Sequence, residues 1–185
     1  MKSISVFCGS KTGNNPIFQE QAYQLGQTLA KKGITLIYGG ASVGLMGKLA
    51  DGALEQNGEV VGVFPEFLKN KEILHKNLTR LIIVDSMHER KIKMHNLSDG
   101  VIVLPGGYGT MDEFFEMITW SQLQLHRKPI ALLNINGYYN YLIKHADKMR
   151  EEGFLSPKHR EMILIHKDIN ELLMDMQQFS VKDGD

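Results

Sequence analysis

The chain is expected to adopt a doubly wound α/β fold, a parallel sheet with helices on both faces. Three observations predict it. Short β-branched runs alternate with longer amphipathic segments along the whole chain. One run, Val101 to Leu104, is apolar throughout, as a strand buried on both faces must be. Three strand ends open into glycine-rich loops, Gly9-Ser10, Gly39-Gly40 and Gly106-Gly107. In such folds ligands bind at the carboxyl ends of the strands, so these loops also mark where a site should lie.

The elements follow in order. Ile4 to Cys8 reads as a strand and residues 9–16 as a loop. A helix follows from about Pro16 to Lys32 with Ala22, Leu25 and Leu29 on one face, stopped by Gly33. Ile34 to Tyr38 is the second strand. Leu45 to Gln56 is a helix that ends at Asn57-Gly58, and Val60 to Phe64 is the third strand. The stretch from Pro65 to Lys76 is polar and irregular, long enough to act as a lid. Arg80 to Val84 is a strand, Met87 to Leu97 a charged helix, and Val101 to Leu104 the fifth strand. Thr110 to Leu125 is a helix, Ile130 to Leu133 a strand and Tyr138 to Glu152 a helix. Met162 to His166 is a last strand, followed by a short helix from Asp168. Right-handed crossovers between these strands make the sheet doubly wound. Residues 1–179 are expected to form one domain, with a frayed tail from Ser180 to Asp185.

Composition narrows the function classes. The 185 residues carry 21 basic and 21 acidic side chains, so no global field favours nucleic acid or an anionic membrane. Near-zero charge also favours self-association. The single cysteine, Cys8, sits in an apolar run and reads as a buried small hydrophobe, which fits a reducing cytosol. The N-terminal run Ile4-Ser5-Val6-Phe7 lacks the basic and long apolar regions of a signal peptide, and no stretch approaches a membrane span. A cytoplasmic protein is therefore expected. His88 and His95 have no third ligand in view, so neither a metal nor another cofactor is expected.

The strongest motif is Pro105-Gly106-Gly107-Tyr108-Gly109-Thr110, between a buried strand and a helix. Glycine backbone can approach a ligand closely, and N–H groups at a helix N-terminus form a nest for an anion. Thr110 can cap the helix or donate to a phosphate. The spacing matches neither the phosphate loop of NTPases nor the dinucleotide fingerprint, so a mononucleotide or sugar phosphate fits better. Glu113, three residues on, has two roles open to it. Thr110-x-x-Glu113 has the form of a capping box, and the same carboxylate can point into the ligand crevice as a catalytic group. Arg90 and Lys91 place two cations near a strand end, suited to phosphate or to a solvated helix face.

Together these residues resemble the LOG ("Lonely guy") family of cytokinin riboside 5′-monophosphate phosphoribohydrolases, whose members are often mislabelled lysine decarboxylases. The resemblance runs from Phe7-Cys8-Gly9-Ser10 through Tyr38-Gly39-Gly40, Gly44-Leu45-Met46-Gly47, Met87-His88-Glu89-Arg90-Lys91 and Trp120, and is most specific in Pro-Gly-Gly-x-Gly-Thr-x-x-Glu at Pro105 to Glu113. It implies a Rossmann-like homodimer that hydrolyses the N-glycosidic bond of adenosine-type 5′-monophosphates to free base and ribose 5-phosphate. It assigns Arg90 and Glu113 as the catalytic pair, Lys91 and the loop Gly106 to Thr110 as substrate contacts, and Glu72 as a further one. Ala41 and Lys11 depart from the family's common glycine and serine. A decarboxylase would need a lysine Schiff base with pyridoxal phosphate, and none of Lys48, Lys91 or Lys93 is singled out for it. The alternative to an enzyme is a nucleotide sensor or carrier using the same crevice. Met111, Phe114, Phe115 and Ile118 give one helix more apolar surface than a single core face needs, which points to a partner subunit.

Overall fold

A computed structural model describes residues 1–69 and 73–182. Its strands are β1 (Ser3–Phe7), β2 (Thr35–Tyr38), β3 (Val60–Pro65), β4 (Arg80–Val84), β5 (Gly100–Val103), β6 (Ile130–Leu133) and β7 (Ile163–His166). Its helices are α1 (Ile17–Lys31), α2 (Gly44–Glu55), α3 (Met87–Leu97), α4 (Tyr108–Gln122), α5 (Asn140–Glu151), α6 (Pro157–Arg160) and α7 (Ile169–Lys182). Short 3-10 turns cover Glu66–Leu68 and Ile135–Gly137.

All strand pairs are parallel, in the order β4-β3-β2-β1-β5-β6-β7. This is the doubly wound sheet expected. The chain winds outward from β1 to β4, then restarts at β5 on the other side of β1. The topological switch point therefore lies between the ends of β1 and β5.

Strand alternation divides the core. Ile4, Val6, Ile102 and Leu104 face α1, α2 and α7, while Phe7, Val101 and Val103 face α3 and α4. Ala22, Leu25 and Leu29 are the buried stripe of α1, as their spacing predicts. Helix ends follow local chemistry. After α1, Gly33 N–H bonds Ala30 O and Ile34 N–H bonds Leu29 O, both at 2.9 Å, a Schellman closure. Asn57 (φ 56°) and Gly58 close α2 in the same way.

Three expectations change. The last helix is not short: α7 spans 14 residues and buries Ile169, Leu172, Leu173 and Met176. Its backbone runs through Lys182, past the start of the expected tail. The small α6 was not anticipated, although Ser156 caps it through His159 N–H and Pro157 opens it. Finally, α4 starts at Tyr108, so Thr110 is not its cap. No helix among the described residues is long and apolar enough to cross a membrane.

Candidate active site

At the switch point lies a cleft of about 380 Å³. Its lining brings together Gly9 and Ser10 after β1, Gly39 after β2, Arg90 on α3, and Gly107, Tyr108, Gly109, Thr110 and Glu113 of the β5–α4 segment. Val6, Phe7, Cys8, Met46, Met87 and Met94 supply an apolar floor, and Phe67 and Leu68 one wall. The predicted ligand loops thus converge in one place. Burial pushes the Cys8 thiol far up, with Glu113 adding and Arg90 opposing, so Cys8 stays a neutral lining group.

Helix α3 delivers Arg90. Ser86 is its N-cap and accepts from Glu89 N–H at 3.1 Å, while the Glu89 carboxylate accepts from Asp85 N–H at 2.9 Å. This is a variant of the capping box in which the carboxylate returns to the residue before the cap, one turn before the arginine. Arg90 is 7% exposed; among the described residues its Nε has no hydrogen-bond partner and Nη1 reaches only Met87 Sδ at 3.8 Å. A buried guanidinium with no carboxylate within ion-pair distance among the described residues suits an anion.

Helix α4 delivers the other half. The Thr110-Glu113 capping box does not form: the N-cap is Gly107, extended, with no side-chain cap bond. Both Thr110 and Glu113 instead lie inside the helix, buried and facing the cleft. Glu113 is 7% exposed and forms no ion pair with Arg90. Burial pushes its carboxyl up to about 7; Arg90 pulls it back and Asp112 pushes the same way as burial. The first intrahelical bond is Met111 N–H to Gly107 O, so the N–H groups of Gly107, Tyr108, Gly109 and Thr110 have no acceptor among the described residues. Four consecutive free donors at the positive end of a helix dipole form an anion nest.

Close backbone packing shapes the loops. Gly9 N–H donates to Pro105 O at 3.0 Å, and a methyl group at Gly106 would overlap the Thr110 hydroxyl and crowd Gly9 N at 2.9 Å. A methyl group at Gly39 would overlap Arg90 Nη2. Gly40 is buried behind it against Phe64 and is absent from the lining, and Gly106 stands behind Gly107. Lys91 also lies outside the lining. It is paired with Glu116 at 2.7 Å and Asp112 at 3.1 Å on α4. Burial disfavours its charge, but Glu116 and Asp112 outweigh this and raise its pKa. Glu72 lies outside the described residues.

Sequence reasoning missed several contributors. Met46, Met87, Met94, Phe67 and Leu68 carry no chemical signature beyond apolarity. Two tyrosines behind the loop were also missed: Tyr139 Oη donates to Leu104 O and Tyr138 Oη to Gly106 O, both at 2.6 Å. Only the adjacency of Tyr138 and Tyr139 after Gly137 could have drawn attention to them.

Known proteins resemble this chain over most of its length. A family model described as "Possible lysine decarboxylase" matches residues 46–176. The chain is 49% identical over 177 residues to probable cytokinin riboside 5′-monophosphate phosphoribohydrolase LOGL1 of Oryza sativa subsp. japonica, covering 96% of this chain and 79% of that one. It is 44% identical over 178 residues to cytokinin riboside 5′-monophosphate phosphoribohydrolase LOG7 of Arabidopsis thaliana, covering 96% and 82%. Among solved structures, the molybdenum cofactor binding protein of Rippkaea orientalis superposes with a TM-score of 0.72 at 24% identity, covering 96% of each chain. The Moco carrier protein of Chlamydomonas reinhardtii gives 0.73 at 19%, covering 98% of each, so both share the fold. On the strength of its curated relatives, the chain belongs to the LOG family of cytokinin riboside 5′-monophosphate phosphoribohydrolases.

Proposed function

We propose that this protein hydrolyses the N-glycosidic bond of adenosine-type nucleoside 5′-monophosphates, cytokinin riboside monophosphates and AMP, releasing free base and ribose 5-phosphate. One observation carries it: a buried Arg90 and a buried Glu113, neither ion-paired among the described residues, share a cleft with α4 N–H groups that have no acceptor among those residues. An anion and a developing cation are what such a pair can hold in one ligand.

The nest of Gly107 to Thr110 and the guanidinium of Arg90 bind the phosphate end. That remote binding energy positions the scissile bond. Bond cleavage builds oxocarbenium character on the ribose. The ionised Glu113 carboxylate stabilises this charge and orients the attacking water. The base rests on the apolar side of the cleft, against Met46, Met87, Met94 and Phe67. Gly9, Ser10 and Gly39 complete the wall, Gly40 and Gly106 support it from behind, Lys91 serves it indirectly by tying α3 to α4, and Glu72 is a further substrate contact.

The working unit is a cytoplasmic homodimer. Phe115 on α4, Ile92 on α3, and Leu123 and Leu125 at the α4 end are exposed, while Met111 and Ile118 beside them are half-buried. Phe114 alone of the four helix residues singled out from sequence is fully in the core.

Chromatographic product analysis with AMP and isopentenyl-AMP tests the activity. Release of base that Glu113→Gln slows by about 10²- to 10⁴-fold is expected. Nucleotide binding without turnover on either substrate would favour a carrier instead.

A further inference from the structure

Three successive carbonyls of the β5–α4 loop are each held by a donor from outside it. Leu104 O accepts from Tyr139 Oη at 2.6 Å, Pro105 O from Gly9 N–H at 3.0 Å, and Gly106 O from Tyr138 Oη at 2.6 Å. The last of these carbonyls belongs to the Gly106–Gly107 peptide group. That group joins two residues without a Cβ, so it is the one in the loop most easily turned over. The Gly106–Gly107 peptide is trans, so the Gly107 N–H points opposite to the Gly106 carbonyl. If that peptide flipped, a carbonyl oxygen would enter the nest and repel the anion.

We propose that Tyr138 is a positioning residue: its hydroxyl holds the Gly106 carbonyl outward and so keeps the Gly107 N–H turned into the cleft. The inference rests on the proposed nucleotide site. Tyr138 is built for this rather than for the core. It is 45% exposed, lies outside the cleft lining, and its hydroxyl is the one donor to Gly106 O among the described residues. Its ring is fixed edge-on against Phe18 at 5.8 Å and Tyr139 at 4.9 Å. The chain beneath is fixed too. Asn134 Oδ1 accepts from Tyr139 N–H at 2.8 Å, and its Nδ2 donates to Asn140 Oδ1 at 2.9 Å. The hydroxyl therefore arrives at the carbonyl with little freedom left to lose. Tyr139 differs in kind: it is buried, and its hydroxyl serves the strand end at Leu104.

The test is Tyr138→Phe, with Tyr141→Phe as an exposed tyrosine control. For AMP hydrolysis, Tyr138→Phe is expected to lower kcat/KM by roughly tenfold, mainly through KM, with the melting temperature within about 2 °C of wild type. Inhibition by ribose 5-phosphate should weaken by the same factor, whereas inhibition by free adenine should not change. In 15N-labelled wild-type protein, the Gly107 amide resonance should move on titration with ribose 5-phosphate, and in Tyr138→Phe it should start elsewhere and respond weakly. Equal KM, equal ribose 5-phosphate inhibition and an unchanged Gly107 resonance would overturn the inference. So would a wild-type Gly107 amide indifferent to ribose 5-phosphate, a measurement that does not depend on the variant folding. If wild type releases no base while its Gly107 amide still responds and Tyr138→Phe blunts that response, the proposed reaction fails and the positioning role stands.

Discussion

The guanidinium of Arg90 rests on the backbone of Gly39, so closely that a single methyl group there would occupy the place of Nη2. The residue that follows β2 thus limits the position of a side chain carried by α3. The same methyl would also crowd Met46 Sδ at 2.9 Å, and both contacts are far ends of flexible side chains. Gly39→Ala is therefore expected to leave the fold intact while displacing Arg90. A shift of about 1 Å at such a group costs on the order of 100-fold in kcat/KM. Kinetics with AMP alongside thermal denaturation will separate the two effects; a large fall in stability with activity preserved would contradict the assignment.

Glu113 is held in the fold against its own preference. Its ordinary value is 4.5 and burial brings it to about 7. The unfolded chain ionises it first. Stability from this group is full below about 4.5, declines through the interval, and is lowest above about 7. Glu113→Gln should accordingly raise stability at pH 8, by at most about 4 kcal/mol at about 1.4 kcal/mol per unit, and change little at pH 4. Activity should fall by about 10²- to 10⁴-fold. Denaturant melts at the two pH values give the first result and initial rates the second.

The same carboxyl sets the pH dependence of the reaction. The ionised form stabilises the developing charge, so kcat/KM should be flat in alkali and fall about tenfold per pH unit below its value of about 7. A profile from pH 5 to 9, with circular dichroism to show the fold is retained, checks it. A rate that rises toward acid would make Glu113 a proton donor instead.

Phe115 is 44% exposed on α4, one residue after the buried Phe114. Phe115→Glu should therefore fold and dissociate the proposed dimer. Sedimentation at micromolar concentration is expected to give a dimer for wild type and a monomer for the variant. A wild-type monomer would remove the partner from the proposal.

Much of this was legible in the sequence because it depends on neighbours in the chain. The bounds of α3, β4 and β6 match the expected ones residue for residue. In α3 this follows from Ser86 and Glu89, a cap that local chemistry completes. The loops Gly9-Ser10, Gly39 and Gly107 to Thr110 converge as the fold class requires. What was not legible depends on contacts across the chain. Thr110-x-x-Glu113 carries the pattern of a capping box, but β5 ends at Val103 and the helix starts at Tyr108, so tertiary packing turns both side chains inward. Lys91 sits next to Arg90 in sequence yet is drawn to Asp112 and Glu116, a choice that only the placement of α4 decides. The Tyr138 contact with Gly106 spans 32 residues and has no local signature.

The first turn of α4 lacks a cap of its own, and four amide hydrogens in a row have no acceptor among the described residues. A bound anion would complete that helix as a cap residue does elsewhere. Ligand binding is then partly the final step of folding, and the protein's resistance to heat and to hydrogen exchange at positions 107–110 becomes a gauge of how full its active site is.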